Sequence, residues 1–387
     1  LIGCFLGLGL GTALGARRTG LGRWVVPAAA LLCLPLAFSG ELGIMHMPLP
    51  DPAIFLWGAD RSARGAVDFL RVMGVLLAFF TGLAGVFTLA GAALGELLAD
   101  QEGPRAYAAN LLGSLAGVLI FSGATALSAP PPVWLLLGTA PFALLAPGPL
   151  AGASVLLAAA LGQASVRGAV FSPYNRIDLE TGELGATLST NRDFHQYMHD
   201  LSDPALAAAG RDTPLRRAKD EFRRVYDAPL SIGSARGSAL LIGAGTGNDV
   251  QAALRQNFSR VVSVDIDPRI VGLGRRLHPE RPYSDPRVTA VVNDARAFLE
   301  TYRGPPFDAV SYGFVDSHAM FSSLSTLRLD NYLYTEEGLR AAWRLVAPGG
   351  HMAVTLSLLA GDWFAARLYW TIAGAAGVEP AVSLHGL

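Results

Sequence analysis

Long apolar runs with few charged residues fill the first part of the chain. Six of them predict helices, over residues 1–15, 24–39, 69–98, 107–127, 133–146 and 150–166. A helix needs about 20 apolar residues to cross the hydrocarbon core of a bilayer, and the longer runs reach that length. So many uncharged runs in series favour a membrane-embedded α-helical bundle over buried helices of a soluble protein. The last two runs could together form one tilted hairpin.

Glycines recur at every fourth position in two of these runs. This spacing places them on one face of a helix, where the missing side chains let a second helix approach closely. The pattern therefore predicts tightly packed helix pairs in the bundle. The residues concerned are Gly3, Gly7, Gly11 and Gly15 in the first run and Gly91 and Gly95 in the third.

The pattern changes after residue 169. Thr181-Gly182 predicts a short hairpin turn. Beyond residue 238, short apolar strands alternate with helical patterns, and this alternation predicts a mostly parallel, Rossmann-like α/β sheet with right-handed crossovers. The predicted strands are residues 239–242, 261–264, 288–292, 307–312 and 351–356, and Pro348-Gly349-Gly350 predicts a turn before the last one.

Composition supports a division into three regions. Residues 1–166 carry only 14 of the 61 charged side chains. We expect a transmembrane region over 1–168, a β-hairpin and lid connector over 169–230, and a Rossmann-like domain over 231–387. The chain starts in an apolar run without an initiator Met, so we expect a fragment, truncated at its C-terminus as well. The net charge of −1 gives no indication of a nucleic-acid partner.

A glycine-rich loop follows the first predicted strand of this domain. Gly243, Gly245 and Gly247 allow a tight turn and a close approach of ligand to backbone. Asp265 comes twenty residues after Gly245, at the end of the second strand, where its carboxylate could accept hydrogen bonds from a ribose diol. The loop reads GAGTG, unlike the GxGxxG that wraps a pyrophosphate. It favours a nucleoside without phosphates, such as S-adenosylmethionine or its decarboxylated form. A tight strand-to-helix turn without a ligand is the alternative.

Two further segments could complete a nucleoside site. Asp294 follows the third strand and could bind the adenine amino group, or could equally cap the helix that starts at Ala295. Segment 191–200 contains two histidines four residues apart, at 195 and 199. No carboxylate or Cys completes a ligand set there, so we predict no metal. We expect instead a lid that touches the ligand through Gln196, with a plain capped helix as the alternative. The remaining predicted contacts are Thr246, in the loop, Ile266 and Ala295.

The candidate catalytic residues lie in the polar loop after the fourth strand. Transfer to an amine needs a group that orients the nucleophile and accepts its proton. Asp316 is the first carboxylate in this loop, and His318 is the alternative base, with a pKa suited to neutral pH. Asp316 could equally cap a turn through Ser317 and His318.

Several motifs give residues 170–380 a resemblance to spermidine synthases, the Rossmann-like aminopropyltransferases. They are SPYNRI, DFHQYM, LLIGAGTG, VDIDP, NDARAFL and YTEE. The whole chain resembles a bacterial variant in which this domain follows a membrane bundle. The resemblance to this membrane-fused variant rests on three further sequence motifs: LLGSLAG, HPERPYSDPRV and DSHAMFSSLSTLRLDNYLYT.

The resemblance implies a group transferase with S-adenosylmethionine or decarboxylated S-adenosylmethionine as donor, a small-molecule acceptor such as an amine, and a role in polyamine biosynthesis. It implies a multi-pass inner-membrane protein in contact with the lipid bilayer, with a homo-oligomer possible. The transferase domain is expected in the cytoplasm, because adenosyl donors are cytosolic.

Two positions depart from the family pattern. Thr246 stands where spermidine synthases have an acid that binds the ammonium of the aminopropyl group, and Gly313 stands where they have the catalytic aspartate. Nucleoside binding is therefore better supported than aminopropyl transfer. An S-adenosylmethionine-dependent methyltransferase and a non-catalytic nucleoside-sensing or transport-linked membrane protein remain as alternatives.

Overall fold

The computed structural model describes residues 1–17, 19–44, 65–99, 101, 103–315, 332–356 and 362–384. These residues form two compact units, one up to Tyr174 and one from Asn175 onward. The first unit is helical. The second combines a small antiparallel sheet with a larger parallel one.

The helical unit contains a helix at each of the six predicted positions. They are α1 Ile2–Gly15, α2 Val25–Ala37, α3 Ala66–Leu98, α4 Gly103–Ala126, α5 Pro131–Leu145 and α6 Pro149–Val166. A 3₁₀ turn, Leu21–Trp24, precedes α2, and a two-residue strand, β1 Val170–Phe171, follows α6.

Three of these helices, α3, α4 and α6, are long and apolar enough to cross a membrane. The expectation of six membrane segments stays a prediction, which this length and composition support for three of the described helices. Helices α1, α2 and α5 have 14, 13 and 15 residues, short of the roughly 20 that a span needs.

Helices α1 and α3 pack through glycine, as the spacing predicts. The glycines at every fourth position of α1 are all buried. A Cβ at Gly11 would overlap the Thr88 carbonyl oxygen and lie 2.9 Å from the Ala92 nitrogen. A Cβ at Gly9, on the opposite face of the same helix, would meet no atom within 4 Å.

Gly11→Ala should lower the free energy of unfolding of the purified chain by about 1 kcal/mol, because the added methyl group forces two closely packed backbones apart. Gly9→Ala is the matched control and should be neutral or slightly stabilising, since Ala favours helix over Gly. Thermal unfolding of both variants checks this. Equal behaviour of the two would contradict the packing.

The second unit begins with three antiparallel strands, β2 Arg176–Gly182, β3 Gly185–Thr190 and β4 Asp193–Met198. The predicted hairpin turn between β2 and β3 is present. The helical alternative for residues 191–200 is wrong, because β4 fills most of the segment. Asn191 and Arg192, with φ of 53° and 71°, turn the chain back into β4. Helices α7 Asp203–Ala208 and α8 Pro214–Ser231 follow.

The larger sheet has five strands in the order β7-β6-β5-β8-β9, and every neighbouring pair is parallel. This confirms the predicted Rossmann-like sheet. Its strands are β5 Ser238–Ile242, β6 Arg260–Asp265, β7 Val288–Val292, β8 Phe307–Gly313 and β9 Val346–Thr355. Its helices are α9 Asn248–Arg255, α10 Pro268–Leu277, α11 Ala295–Thr301, α12 Glu336–Trp343 and α13 Asp362–Ala376, and a 3₁₀ turn, Pro282–Ser284, follows α10.

Strand β9 starts earlier than the sequence predicts. Val346 already pairs with Phe307, and the register shifts before Ala309 pairs with His351. The Pro-Gly-Gly sequence therefore lies inside the strand as an irregularity, where a separate turn was expected.

Apolar residues cover both faces of the sheet. Leu240 and Tyr312 pack with Leu339 of α12 on one face. Leu241 packs with Val250 of α9 and Phe258 on the other. The chain continues from β5 to β6 and β7 on one side and then crosses from β7 to β8 on the other side of β5. In open parallel sheets, ligands bind at the carboxyl ends of strands beside such a switch point.

Candidate functional site

The loop that follows β5 is built for close contact. Gly243, Gly245 and Gly247 have φ of +71°, +52° and +110°, a region that favours glycine. The space around these three glycines also excludes larger side chains. A Cβ at these three positions would lie 2.6 Å from Val315, 2.7 Å from Gln196 and 2.8 Å from Pro282, respectively. Side chains here would both strain the loop and displace its neighbours.

Asp265 is the last residue of β6 and holds this loop in place. Its Oδ2 accepts the Gly245 N–H at 2.8 Å, and its Oδ1 accepts the Asp267 N–H at 2.9 Å. Burial raises the pKa of Asp265 to about 6, although both backbone donors act in the opposite direction. Each carboxylate oxygen can accept a second hydrogen bond, so the group remains able to bind a diol.

The turn between β6 and α10 is stabilised by the N-cap residue of α10, Asp267. Asp267 Oδ1 accepts the N–H groups of Arg269 and Ile270 at the start of α10, at 2.9 and 3.3 Å. Ile266, a predicted contact, lies half-buried between the two aspartates in sequence. Asp267 thus determines how the chain leaves the edge of the sheet where Asp265 lies.

Asp294 stands at the end of the neighbouring strand β7. The Asn293 N–H donates to the Asp265 carbonyl oxygen at 3.0 Å, which places the two strand ends side by side. Asp294 Oδ1 accepts the Ala297 N–H at 2.8 Å and caps α11, as the sequence allows, and Ala295 is buried. The hydrogen bonds of the described residues use only one of its carboxylate oxygens, which leaves Oδ2 for a ligand.

Gln196 reaches the glycine loop from β4. Its Oε1 accepts from the Thr246 N–H at 3.4 Å and from the Thr246 hydroxyl at 3.3 Å. Its Nε2 is buried and has no hydrogen-bond partner within the described part of the chain. The antiparallel strands therefore contact the loop through Gln196, and this amide has one donor group unused.

Tyr283 is a contact that the sequence reasoning missed. It belongs to the 3₁₀ turn after α10, and its hydroxyl donates to the Gly245 carbonyl oxygen at 2.7 Å. Burial, and then the charge of Asp265, raise the pKa of Tyr283 and keep the hydroxyl protonated. The HPERPY motif was the available signal, but its spacing gave no indication of which element it would touch.

A buried polar network anchors the first residue of α9. Asn248 Oδ1 lies 3.1 Å from the His199 N–H and 3.2 Å from His278 Nε2, and its Nδ2 donates to the Tyr197 carbonyl and the Tyr226 hydroxyl at 2.7 and 3.1 Å. Burial lowers the pKa of both histidines to about 4, so both are neutral at pH 7. The network joins β4 to α9 and uses every polar atom of the Asn248 amide.

The two candidate catalytic residues, Asp316 and His318, lie outside the described residues. The structure does place Gly313, the last residue of β8, beside the side chain of Asp249. Asp249, the second residue of α9, is a buried acid that the sequence reasoning did not single out. The described site thus combines the glycine loop, Asp265, Asp294 and Gln196 at one edge of the sheet.

Comparisons with known proteins agree with this architecture. Residues 240–354 match the family model of a methyltransferase domain. Polyamine aminopropyltransferase 2 of Caldanaerobacter subterraneus subsp. tengcongensis is 35% identical over 94 residues, which are 24% of this chain and 29% of the relative.

Two solved structures are also similar. One is a spermidine synthase in complex with the transition state analogue AdoDATO, at 17% identity and a TM-score of 0.40, with coverage of 52% of this chain and 61% of that one. The other is spermidine synthase from Thermotoga maritima, at 16% identity and a TM-score of 0.39, with coverage of 52% and 60%. The chain spans less than two thirds of each of these relatives. The matched family model and the parallel sheet support a Rossmann-like domain of the methyltransferase type in the second unit.

Proposed function

We propose that the second unit is a group transferase that uses decarboxylated S-adenosylmethionine or S-adenosylmethionine as donor. One observation carries the proposal. The Asp265 carboxylate lies at the carboxyl end of β6 and is hydrogen-bonded to the backbone of the GAGTG loop. A carboxylate in this position can accept hydrogen bonds from both hydroxyl groups of a ribose, and the GAGTG sequence differs from the GxGxxG that wraps a pyrophosphate.

In the proposed complex, the ribose lies on Asp265 and the adenine ring extends toward Asp294. Ile266 and Ala295 flank the base, and Asp294 Oδ2 accepts a hydrogen bond from the adenine amino group. The sulfur-bearing end of the donor then points toward the loop between β5 and α9 and toward the end of β8. Gln196, with its unused Nε2 donor, covers that loop from the other side.

Aminopropyl transfer is the leading reaction, supported by the similarity to an aminopropyltransferase. Methyl transfer is the second candidate, and it is supported by the match to a methyltransferase domain and by the uncharged residues at positions 246 and 313. For either reaction, Asp316 is proposed to orient the acceptor and take its proton, with His318 as the alternative base. Asp316→Asn should then lower turnover, and turnover at the wild-type rate would remove Asp316 from the mechanism.

The products distinguish the reactions. Purified protein is incubated with each donor and with putrescine as a trial acceptor amine. Methylthioadenosine as product supports aminopropyl transfer, and S-adenosylhomocysteine supports methyl transfer. Donor binding with neither product would favour the nucleoside-sensing alternative, and the absence of binding would contradict the proposal.

The first unit is proposed to lie in the lipid bilayer, with the transferase unit on the cytoplasmic side. The length and apolar composition of α3, α4 and α6 support the first part, and the cytosolic supply of adenosyl donors supports the second. Ser234 is exposed and suits cysteine-accessibility labelling in intact cells. Ser234→Cys should be labelled only after the membrane is opened, with the parent chain and its two native cysteines as background. Labelling from outside would overturn the orientation.

Nucleoside binding should weaken as the pH falls below about 6. Burial raises the pKa of Asp265 to about 6, so below that pH the carboxyl group becomes protonated and loses part of its ability to accept hydroxyl hydrogen bonds. At pH 5 the affinity for methylthioadenosine should be about tenfold lower than at pH 8. Titrations across this range check the effect. Asp265→Asn, which cannot ionise, should lack the added pH dependence, and an unchanged profile in that variant would contradict the assignment.

A further inference from the structure

Asp249 lies where the loop after β5 meets the end of β8. It is the second residue of α9, and only 9% of the residue is exposed. A Cβ built on Gly313 would lie 2.5–2.6 Å from the two oxygens and the carbon of the Asp249 carboxylate. The carboxylate therefore occupies the space that a side chain at the end of β8 would otherwise fill.

Gly313 is a glycine because of this contact. It is not among the residues with positive φ, so its backbone conformation suits any amino acid. Glycine inside a strand weakens the strand and often marks a close approach of another group. The approaching group here is the Asp249 carboxylate. Glycine at position 313 weakens the end of β8, and it leaves space for the buried Asp249 carboxylate at the switch point of the sheet.

No basic residue in the described ranges forms an ion pair with Asp249. The charge of Arg255 lowers its pKa, but the Arg255 guanidinium is 2.8 Å from Asp227 and 3.6 Å from Glu280 and pairs with those two acids. Tyr226 and Tyr283 also lie close enough to respond to its charge, and both are neutral. Burial raises the pKa of Asp249 to about 7, against the effects of its own backbone N–H and of Arg255.

A buried carboxylate without a cationic partner is costly, and such groups cluster at functional sites, where a bound cation can supply the missing charge. The side-chain amide of the neighbouring Asn248 does not donate a hydrogen bond to the Asp249 carboxylate, because its polar atoms are hydrogen-bonded to other groups. The proposed donor has its sulfur-bearing end at this place. Both forms of the donor carry an aliphatic ammonium group a few bonds from the sulfur.

We propose that Asp249 binds the aliphatic ammonium group of the donor, an inference that rests on the donor class proposed above. The ammonium group donates charge-assisted hydrogen bonds to the carboxylate, which lies against Gly313 at the end of β8. Thr246 and Gly313 are uncharged, so Asp249 supplies the negative charge next to the end of β8.

Two ligands that differ in the amine isolate this contact. Decarboxylated S-adenosylhomocysteine carries the aminopropyl group, and methylthioadenosine contains the same nucleoside and sulfur without an amine. Wild-type protein should bind the first at least about tenfold more tightly than the second. Asp249→Asn should reduce this preference to about twofold while its affinity for methylthioadenosine stays unchanged. Asp220→Asn, a surface residue of α8 paired with Arg216, is the control and should retain the full preference.

A second variant tests the contact between Asp249 and the ammonium group by a change at Gly313. Gly313→Ala adds a methyl group in the space of the carboxylate and should also reduce the preference for the amine, with methylthioadenosine binding again retained. Retention of methylthioadenosine binding shows that each variant is folded. If Asp249→Asn or Gly313→Ala kept the full preference, or lost both ligands equally, the role of Asp249 would be overturned.

The outcomes separate this inference from the proposed function. Wild-type protein that binds methylthioadenosine without any preference for the amine would overturn the role of Asp249 and leave nucleoside binding intact. Wild-type protein that binds neither compound would overturn both.

Discussion

Asp265→Ala is expected to weaken binding of methylthioadenosine by about a hundredfold or more. A carboxylate that accepts two ribose hydroxyl groups makes two charge-assisted hydrogen bonds, each worth roughly 1.5–3 kcal/mol. The substitution also releases the Gly245 and Asp267 N–H groups that the carboxylate holds. The glycine loop then loses its link to the end of β6, which adds to the loss. Titration calorimetry with purified protein measures the effect.

Two further variants make this result interpretable. Asp265→Asn keeps the shape and one acceptor oxygen, so its loss should be intermediate. Asp285→Ala removes an acid of the turn before β7 that pairs with Arg287, outside the described nucleoside contacts, and should leave the affinity unchanged. If Asp265→Ala bound within about threefold of wild type, Asp265 would not be the ribose ligand.

Gly274→Ala should have the second large effect, on both stability and binding. Gly274 lies in α10, and a Cβ there would overlap the Thr246 carbonyl oxygen and lie 2.8 Å from the Thr246 Cα. The glycine loop cannot retreat easily, because Gln196 and Tyr283 contact it from other sides. We expect a loss of about 3 kcal/mol in the free energy of unfolding, with weaker nucleoside binding as the loop shifts.

Gly272→Ala provides a matched control in the same helix. A Cβ at Gly272 would meet no atom within 4 Å, so this substitution should stabilise the protein by about 0.5–1 kcal/mol through helix propensity alone. Chemical unfolding and methylthioadenosine titration of both variants compare them. Similar stability of the two variants would show that α10 does not support the loop.

The parallel sheet and its glycine loop could be predicted because their signals are local. Runs such as residues 239–242 are apolar throughout, as buried parallel strands require, and the loop glycines separate strand from helix directly. The twenty-residue spacing to Asp265 follows from one helix and one strand of ordinary length. The same local signals predicted the helix that Asp294 caps.

The contacts between distant segments could not be predicted. Gln196 and Tyr283 come from β4 and from the turn after α10, and their contact with the loop depends on how these elements pack. Asp249 follows the loop directly in sequence, yet nothing local indicated that its side chain would lie against Gly313. That position depends on the pairing of β5 with β8, whose paired residues lie 70 positions apart in the sequence.

Two wrong expectations had local causes. The segment of β4 contains a polar, helix-compatible pattern. It forms a strand because Asn191 and Arg192 adopt positive φ values and turn the chain into a hairpin. The residues Pro348-Gly349-Gly350 are typical of a turn, but the start of β8 pairs with the chain on both sides of them and keeps them within β9. In both cases strand pairing outweighed the local preference.

Competitive equilibrium binding tests whether the protein binds an adenosyl donor. The purified protein is titrated with S-adenosylmethionine and with its decarboxylated form, with methylthioadenosine and ATP as competitors. We predict that at least one donor binds, that methylthioadenosine competes with it, and that ATP does not, because the GAGTG loop suits a nucleoside without phosphates. Folded protein that binds no adenosyl compound, or that binds ATP more tightly than either donor, would contradict this prediction.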